Sequence, residues 1–347
     1  MRVALRLSLA LLAACVLLGC GEAKREETRA RFMAMGTLVE VTVYDHPLEA
    51  ARQAITDVEA LFRTLQIAWD PWGEGELGQL NAALKAGEAV VPPADLGALL
   101  QRAAQLDEAS GGLFEPSIGS LTLLWGFSRD NLAPTAPPPA EALSRSLAAA
   151  TPLPQMWRTG GRLEGGTGMT LDLGGFAKGE AVDRAIELLR SRGIEHAIVN
   201  AGGDLRAIGR HGDRGWRIGV RNPRREGILA AIEISGDESV FTSGDYERFF
   251  MLDGRRYHHI LDPRDGLPPQ HTMSVTVLGV EAATADAAAT ALFVAGPERW
   301  PEVAAALGID KVMLVDSAGA VHLSAAMEGR VYLPDADTRT IEIRALP

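Results

Sequence analysis

The sequence has few cysteines, few aromatic residues and no surplus of basic side chains. Cys15 and Cys20 are its two cysteines, and aromatic residues make up 5% of the 347 positions. A fold held together by several disulfides is therefore excluded. Lys and Arg total 34 against 45 Asp and Glu, a formal charge of -11, whereas binding to nucleic-acid phosphates needs clustered basic residues. We expect a protein that folds around a hydrophobic core and does not bind nucleic acid.

The N-terminus has the pattern of an export signal. Two arginines precede an apolar run, 7–18, which is shorter than the roughly 20 residues of a membrane-spanning helix. The run ends in Leu-Leu-Gly-Cys, which resembles the cleavage site of bacterial lipoproteins. We expect residues 1–19 to be a signal peptide, Cys20 to carry lipid, and 20–30 to tether an exported protein to the membrane, facing the periplasm. A plain secretory signal that is cleaved elsewhere is the alternative.

Cleavage after residue 19 changes the charge and the cysteine count. It removes two arginines and no acidic residue, so the side-chain balance becomes 32 - 45 = -13, and it removes Cys15. The one remaining cysteine would be acylated, so no intramolecular disulfide could form and the core must supply the stability.

The spacing of apolar residues predicts the order of helices and strands. Leu38–Tyr44 alternates as a strand does, and 48–68 has apolar residues three and four apart, as in an amphipathic helix. Further helices are predicted at 96–108, 140–149, 176–192, 283–293 and 302–307, and further strands at 169–173, 197–199, 216–220, 228–234, 247–251, 273–278, 312–315 and 321–323. This order lacks regular βαβ alternation, which favours an α+β fold of mixed or antiparallel sheets packed with helices. We expect a single domain over 31–335 and a C-terminal tail at 336–347.

One glycine pattern is misleading. Gly73-Glu-Gly75-Glu-Leu-Gly78 fits the G-x-G-x-x-G pattern of dinucleotide-binding turns. It follows a predicted helix instead of a strand, and its two glutamates would repel a pyrophosphate. We interpret this segment as a loop.

The segment from Asp172 to Gly179 predicts an anion site. Two glycines let a ligand approach the backbone, and free N–H groups, the helix dipole and the Lys178 ammonium converge at the predicted helix start. Asp172 could position a ribose, an amide or a metal-bound water. The alternative is a glycine-rich turn with a solvated lysine.

Two other segments are less specific. Asn200-Ala-Gly-Gly-Asp204 fits either close approach to a ligand or a hairpin whose polar side chains satisfy its own amides. His258 and His259 are adjacent on a predicted extended segment, so their side chains point to opposite faces and we expect one of them to face a site. Histidine is suited to proton transfer near neutral pH, although a lone histidine more often has a structural role.

Asp286 and Thr290 lie four residues apart on a predicted helix that is rich in alanine. Their side chains therefore share one helix face with space around it, and their oxygens suit a hard cation such as Mg²⁺. The alternative is a buried helix whose threonine bonds a backbone carbonyl, but the aspartate would then need a partner. Together with the anion site and the histidine, this face predicts phosphoryl or nucleotidyl chemistry assisted by Mg²⁺.

The ordered motifs resemble those of the ApbE family, the FAD:protein FMN transferases, whose fold is T-fold-like. The matching segments span about 31–325 and are Met35-Gly36-Thr37, 124–127, 172–179, 200–204, 243–248, 259–263 and 285–290. The resemblance implies that FAD is bound and its pyrophosphate is split, with FMN passing to a Thr or Ser hydroxyl of an acceptor protein while AMP leaves. It suggests acceptors among exported or membrane-embedded subunits of flavin-dependent electron-transport complexes.

The resemblance also implies a set of site residues. The residues that would contact FAD are Met35, Ser117, Ile118, Gly119, Asp172, Lys178 and Ile260. Asp286, Thr290 and the backbone carbonyl of Gly175 would hold Mg²⁺, and His259 would be the base for the acceptor hydroxyl or its positioner. Catalysis would therefore depend on His259 and Asp286.

Two positions depart from the family's pattern, and two other functions remain open. An aromatic residue, commonly Tyr, is expected after the first long helix to stack on the flavin, whereas this chain has Trp69 and Trp72, of which we favour Trp72. Ala289 stands where some relatives carry a second acidic residue on the metal helix. The competing functions are a Mg²⁺-dependent FAD pyrophosphatase, in which water replaces the acceptor hydroxyl, and a non-enzymatic lipoprotein that binds FAD.

Overall fold

The computed structural model describes residues 27–128 and 136–347. The predicted signal peptide, Cys20 with its predicted acylation, and most of the predicted tether lie outside the described residues. Within the two described stretches, no helix combines the length and the apolar character needed to cross a membrane.

Nine helical segments are found in the described residues. In chain order they are α1 (Leu48–Trp69), α2 (Glu76–Lys85), α3 (Ala94–Ser110), α4 (Gly119–Leu124), α5 (Ala140–Ala149), α6 (Leu153–Met156), α7 (Ala177–Ser191), α8 (Ala282–Ala306) and α9 (Ala325–Glu328). A short 3₁₀ turn, Ala336–Thr338, follows near the C-terminus. The two helices predicted at 283–293 and 302–307 belong to α8, which has a kink at Gly296 (φ 75°).

Sixteen strands are found in the described part of the chain. They are β1 (Glu27–Ala34), β2 (Thr37–Tyr44), β3 (Trp157–Arg158), β4 (Arg162–Leu163), β5 (Ala197–Ala201), β6 (Asp204–Ile208), β7 (Trp216–Arg221), β8 (Ile228–Ile234), β9 (Glu238–Gly244), β10 (Phe249–Leu252), β11 (Arg255–His258), β12 (Thr272–Gly279), β13 (Lys311–Asp316), β14 (Val321–Ser324), β15 (Val331–Tyr332) and β16 (Ile341–Arg344).

The main sheet has nine strands in the order β1-β2-β5-β6-β9-β12-β13-β14-β16. Neighbouring strands are antiparallel except for the last pair, β14 and β16, which are parallel. Smaller sheets are formed by β15-β8-β7, β10-β11 and β3-β4. Helices packed on a mixed sheet confirm the predicted α+β class.

Both faces of the main sheet are covered, which explains its apolar strands. In β13, Val312 and Leu314 pack into the larger core under the helices, while Met313 and Val315 pack into a second core beneath β7 and β8. Successive strand residues point to opposite faces, so a strand covered on both sides is apolar throughout. The amphipathic face of α1 is buried in the larger core, as its spacing predicts.

Several expectations differ from the structure. The predicted tether reached residue 30, but β1 begins at Glu27 and pairs with β2 along its length. The tail predicted at 336–347 contains β16, which extends the main sheet. The predicted loop at 73–78 runs into α2, which begins at Glu76. Strand β9, in the middle of the sheet, was not predicted.

The strand predicted at 169–173 is absent, and the reason is local. Asn81 from α2 accepts a hydrogen bond from the Leu171 amide at 2.8 Å and donates one to the Leu171 carbonyl at 2.9 Å. Its side-chain amide thus takes the place of a neighbouring strand. The segment is held extended beside α7 without belonging to a sheet, apart from an isolated bridge between Ile118 and Thr170.

Candidate active site

A cavity of about 700 Å³ opens where the β1–β2 turn, the β5–β6 turn, the start of α7 and the N-terminal part of α8 meet. Its size is in the range of small-molecule and cofactor sites. Ten of the twelve predicted site residues line it: Met35, Trp72, Ile118, Asp172, Gly175, Lys178, His259, Ile260, Asp286 and Thr290. Residues far apart in the sequence are therefore brought to one site.

Ser117 and Gly119 are not among the residues that line the cavity, so their contact with FAD stays a prediction. Ser117 is 2% exposed, and its amide donates a hydrogen bond to the Glu115 carboxylate at 2.8 Å. The Gly119 amide bonds the Thr170 carbonyl at 3.0 Å, and a Cβ at this position would lie 2.6 Å from that oxygen. Both residues shape the loop that presents Ile118 to the cavity.

Met35 enters the cavity from the tight turn between β1 and β2. Its φ of 51° lies in the left-handed region, which side chains other than glycine rarely adopt. The Met35 amide donates a hydrogen bond of 2.6 Å to the side-chain oxygen of Gln66 on α1. The strained turn is thus fastened to a helix, as expected for a residue placed for function.

At the start of α7, the predicted anion site contains an ion-paired lysine. The Lys178 ammonium lies 2.5 Å from Asp204 and 3.4 Å from Asp286. Burial alone would lower the pKa of Lys178, but attraction to the two carboxylates outweighs it and raises the pKa. Lys178 is therefore a fixed cation and not a solvated one.

Asp172 lies on the same wall, just before α7. Its carboxylate accepts a hydrogen bond of 2.9 Å from the Gly174 amide. Burial raises the pKa of Asp172, although that bond and the charge of Arg248 act in the opposite direction.

The Asp286 and Thr290 side chains face the cavity from α8. Asp286 accepts a hydrogen bond of 3.0 Å from the Gly179 amide, and Thr290 Oγ1 lies 3.3 Å from Ser243 Oγ on β9. Burial raises the pKa of Asp286 to about 6, against the attraction of Lys178. A Cβ on Gly175 would lie 3.1 Å from Thr290 Oγ1, so the absence of a side chain there keeps this oxygen accessible.

These oxygens fit a magnesium ion. The described residues contain no group of three or more His, Cys, Asp or Glu that could hold a metal. A site here would rest on one carboxylate, one hydroxyl and a backbone carbonyl. Mg²⁺ accepts such sparse oxygen ligation because it retains waters and takes substrate phosphates.

The two adjacent histidines have different environments. His258 is buried, and its Nε2 lies 2.8 Å from the Pro269 carbonyl. His259 lines the cavity, its amide donates to the Arg248 carbonyl at 3.0 Å, and its ring packs edge-on against Phe127. Burial, and next the charge of Arg248, hold the pKa of His259 well below the usual value, so its ring is neutral at pH 7.

Comparison with known proteins decides the family. The sequence profile of the ApbE family matches residues 35–313. The chain belongs to the ApbE family. It is 38% identical over 334 residues to the FAD:protein FMN transferase of Rhodobacter capsulatus, covering 95% of this chain and 64% of that protein. It is 35% identical over 350 residues to the enzyme of the same name from Treponema pallidum, covering 93% of this chain and 94% of that protein.

The fold of this chain is also that of an ApbE protein. A crystal structure of the ApbE protein from Thermotoga maritima superimposes with a TM-score of 0.80 at 31% identity, covering 88% of this chain and 99% of that chain. Family and fold are thus confirmed, whereas the roles of individual residues rest on the geometry described above.

Both tryptophans that follow α1 border the cavity of this ApbE chain. Trp69 is buried, and the guanidinium of Arg184 lies 4.9 Å from its ring centroid. Trp72 is partly exposed in the turn, where its amide donates to Asp70 at 2.9 Å. Since one face of Trp69 is already covered, Trp72 is the more accessible ring for stacking on a ligand.

The predicted site omitted several cavity residues. Asp204, Ser243, Tyr246 and Arg248 all line it, as does Glu115. The paired glycines before Asp204 and the polar run after β9 were the available signals. Neither signal indicated that these turns would meet at α8.

Proposed function

We propose that this chain is an FAD:protein FMN transferase that moves FMN from FAD to a Thr or Ser hydroxyl of an acceptor protein and releases AMP. The observation that carries the proposal is the convergence of Lys178, Asp286, Thr290 and His259 on one cavity of a chain that belongs to the ApbE family. Its two curated relatives named above carry the same activity in their names.

The cavity has the two kinds of wall that a flavin dinucleotide needs. Met35, Trp72, Ile118 and Ile260 supply apolar and aromatic surface for the ring system. The start of α7 directs the positive end of its helix dipole toward this region, and Lys178 adds a fixed positive charge, both suited to a pyrophosphate. Because Lys178 is paired with Asp204 and Asp286, a cation bound beside it would be needed to offset the charge of an anionic substrate in this strongly acidic protein.

Asp286, Thr290 and the Gly175 carbonyl would hold Mg²⁺ beside the pyrophosphate. A bound Mg²⁺ would supply positive charge that offsets the negative charge of the phosphate oxygens. Asp286 is suited to this role because its carboxylate is buried and one oxygen is fixed by the Gly179 amide. The other oxygen, Oδ1, lies 3.4 Å from the Lys178 ammonium.

In the transfer step, the acceptor hydroxyl oxygen forms a bond to the phosphorus of the FMN half. The bond from that phosphorus to the bridging oxygen breaks, and AMP leaves with the electron pair. His259 orients the hydroxyl and takes its proton, for which the neutral ring is the required form. Arg248, whose side chain donates to the Phe127 carbonyl at 2.9 Å, keeps a positive charge near the ring and so opposes its protonation.

We further propose that the chain is exported and acylated at Cys20, so that the domain works at the membrane surface facing the periplasm. The lipoprotein-like motif supports this placement. Acceptors would be exported or membrane-embedded subunits of electron-transport complexes. Cys20→Ser should abolish labelling by radioactive palmitate and release the protein from the membrane fraction; unchanged labelling would contradict the placement.

The activity is tested by incubating the full chain with FAD, Mg²⁺ and an acceptor subunit that carries the attachment threonine. We expect flavin fluorescence on the acceptor band of a denaturing gel, absent with Asp286→Asn and retained with Asp310→Asn, an exposed site outside the cavity. Free FMN formed equally with and without acceptor would instead identify a pyrophosphatase. Tight FAD binding with no AMP release would identify a binding protein.

A further inference from the structure

Asp204 occupies a rigid position at the first residue of β6. The turn before it contains Gly202 and Gly203, whose φ angles of 72° and 106° favour glycine. The Gly203 amide donates to the Asn200 side-chain oxygen at 2.7 Å, which closes the turn. Asp204 itself is 8% exposed and lines the cavity.

Both oxygens of the Asp204 carboxylate have partners. Oδ1 accepts a hydrogen bond of 2.8 Å from the Thr242 amide on the neighbouring strand β9. Oδ2 lies 2.5 Å from the Lys178 ammonium. Since the backbone of β9 fixes the carboxylate, its contact with Lys178 also fixes where the ammonium lies.

The same ammonium is farther from Asp286. Lys178 Nζ lies 3.4 Å from Asp286 Oδ1, while Asp286 Oδ2 is bonded to the Gly179 amide. Oδ1 is thus the Asp286 oxygen left for a metal ion. The longer distance shows that the ammonium is held mainly by Asp204.

We propose that Asp204 is a positioning residue that holds the Lys178 ammonium away from Asp286 and so leaves Asp286 Oδ1 available to the divalent cation. The inference rests on the metal role that the proposed function gives Asp286. Without the negative charge of Asp204, Asp286 is the remaining carboxylate beside Lys178. The ammonium then closes on Oδ1 and competes with the metal for that oxygen.

The test measures metal affinity, not turnover. Mn²⁺ serves as the probe because it prefers the same oxygen ligands, and free Mn²⁺ is followed by electron paramagnetic resonance with the full chain in the absence of FAD. Asp204→Asn keeps an oxygen for the Thr242 amide and removes the charge. We expect it to weaken Mn²⁺ binding about tenfold, whereas Asp310→Asn leaves binding unchanged.

A double-mutant cycle with Lys178→Met separates positioning from simple charge. If Asp204 acts by holding Lys178, Asp204→Asn changes Mn²⁺ affinity by less than about twofold once Lys178 is Met. An equal loss in both backgrounds would overturn the proposal, because Asp204 would then act only as a nearby negative charge. Unchanged affinity of the single variant would also overturn it.

The proposed metal site has its own control. Asp286→Asn should abolish Mn²⁺ binding; if it does not, the metal role of Asp286 fails, and the positioning role of Asp204 fails with it. Loss of binding in Asp286→Asn together with unchanged binding in Asp204→Asn overturns the positioning role alone. Circular dichroism melting of each variant identifies any that is unfolded. If Asp204→Asn alone is unfolded, the Mn²⁺ affinities of Lys178→Met with and without Asp204→Asn are compared instead.

Discussion

Neighbouring residues in this cavity differ in chemistry because their surroundings differ. His258 and His259 are adjacent, yet one ring bonds a backbone carbonyl and the other borders the cavity. Likewise, Lys178 keeps its charge in a partly buried position because two carboxylates lie beside it. Side-chain type alone would not assign these roles.

His259→Asn should lower kcat for FMN transfer by about 10² to 10⁴, the usual effect of losing a positioned acid or base. The KM for FAD should stay within about twofold, since flavin binding also depends on the apolar walls. His46→Asn, in the loop between β2 and α1, is the matched control. A kcat unchanged by His259→Asn would rule out a role in proton transfer.

The pH dependence of that rate follows from the neutral ring. The pKa of His259 lies well below its ordinary value, so lowering the pH from 8 to 7 should not protonate it. The transfer rate at saturating FAD and Mg²⁺ should therefore show no inflection that depends on His259 in this range. An inflection near pH 7 that disappears in His259→Asn would contradict the assignment of a low pKa.

The carboxyl groups of buried Asp107 and of Glu115, which lines the cavity, should make stability depend on pH. Asp107 is 2% exposed, and burial and the neighbouring Glu115 raise its pKa to about 8. The folded state keeps a proton that the unfolded state releases above about pH 4. The free energy of unfolding should therefore fall as the pH rises from 4 to 8, by at most about 1.4 kcal/mol per pH unit.

Asp107→Asn tests this linkage, because an amide mimics the protonated carboxyl. Urea unfolding at pH 5 and pH 8 should show a smaller difference for Asp107→Asn than for the wild type. Glu88→Gln, at a solvent-exposed carboxylate that does not contribute to the raised pKa of Asp107, should keep the wild-type difference. The account is wrong if Asp107→Asn leaves the slope unchanged.

Among the elements, the contact between α7 and α8 sets the geometry of the site. A Cβ on Gly179 would lie 2.4 Å from the Ala282 carbonyl oxygen and 2.6 Å from the Ala283 Cα. The absence of a side chain lets the start of α8 approach α7. This approach places Lys178 and Asp286 within reach of each other.

Gly179→Ala should therefore destabilise the protein, although alanine is the better helix former. Forcing the two helices apart should lower the free energy of unfolding by roughly 1–3 kcal/mol, and Mn²⁺ binding at Asp286 should weaken. Gly329→Ala is the matched control because its Cβ would meet no atom within 4 Å. Equal urea midpoints for the two variants would refute the packing argument.

Helices and strands whose apolar residues recur at a regular spacing were predictable from the sequence. Segments held in place by a side chain from a distant part of the chain were not. α1 was predicted at 48–68 and is found at Leu48–Trp69, because its apolar stripe has one strong period. β9 mixes polar and apolar residues, since its end supplies Ser243 to the cavity, and no period marks it. The extended segment at 169–173 depends on Asn81, some 90 positions earlier, which local pattern cannot show.

The same limit applies to the site. Asp286 and Thr290 were predictable because helix spacing places them on one face. Gly175 and Lys178 were predictable because they lie on either side of the first residue of a helix. Asp204 was noticed, but its contact with Lys178 needs the β6–β9 pairing to be known. Ser117 and Gly119 were assigned by resemblance alone, and the structure places them behind the cavity wall.

At the scale of the whole molecule, the main sheet has a hydrophobic core on each face, and the cavity lies against only some of its strands. The cavity residues end at Thr290, whereas the main sheet continues through β13 and β14 to β16. His322 on β14 lies 3.1 Å from Glu342 on β16. The C-terminal strand is therefore held to the sheet by a side-chain contact as well as by its backbone hydrogen bonds to β14.

Removing residues 336–347 should therefore lower stability without removing any cavity residue. We expect a lower thermal midpoint for the shortened chain, because the edge of β14 loses its parallel partner. FMN transfer at a temperature well below that midpoint should be retained. An unchanged midpoint would show that β16 contributes nothing to the fold.

The most direct test of the proposed transfer is the ratio of AMP released to FMN covalently bound. With the full chain, FAD, Mg²⁺ and an acceptor subunit, each AMP measured by chromatography should match one flavin on the acceptor, and both should disappear when the attachment threonine is replaced by alanine. AMP released in excess over bound flavin, and unaffected by that replacement, would contradict the account, because water and not the acceptor hydroxyl would be the nucleophile.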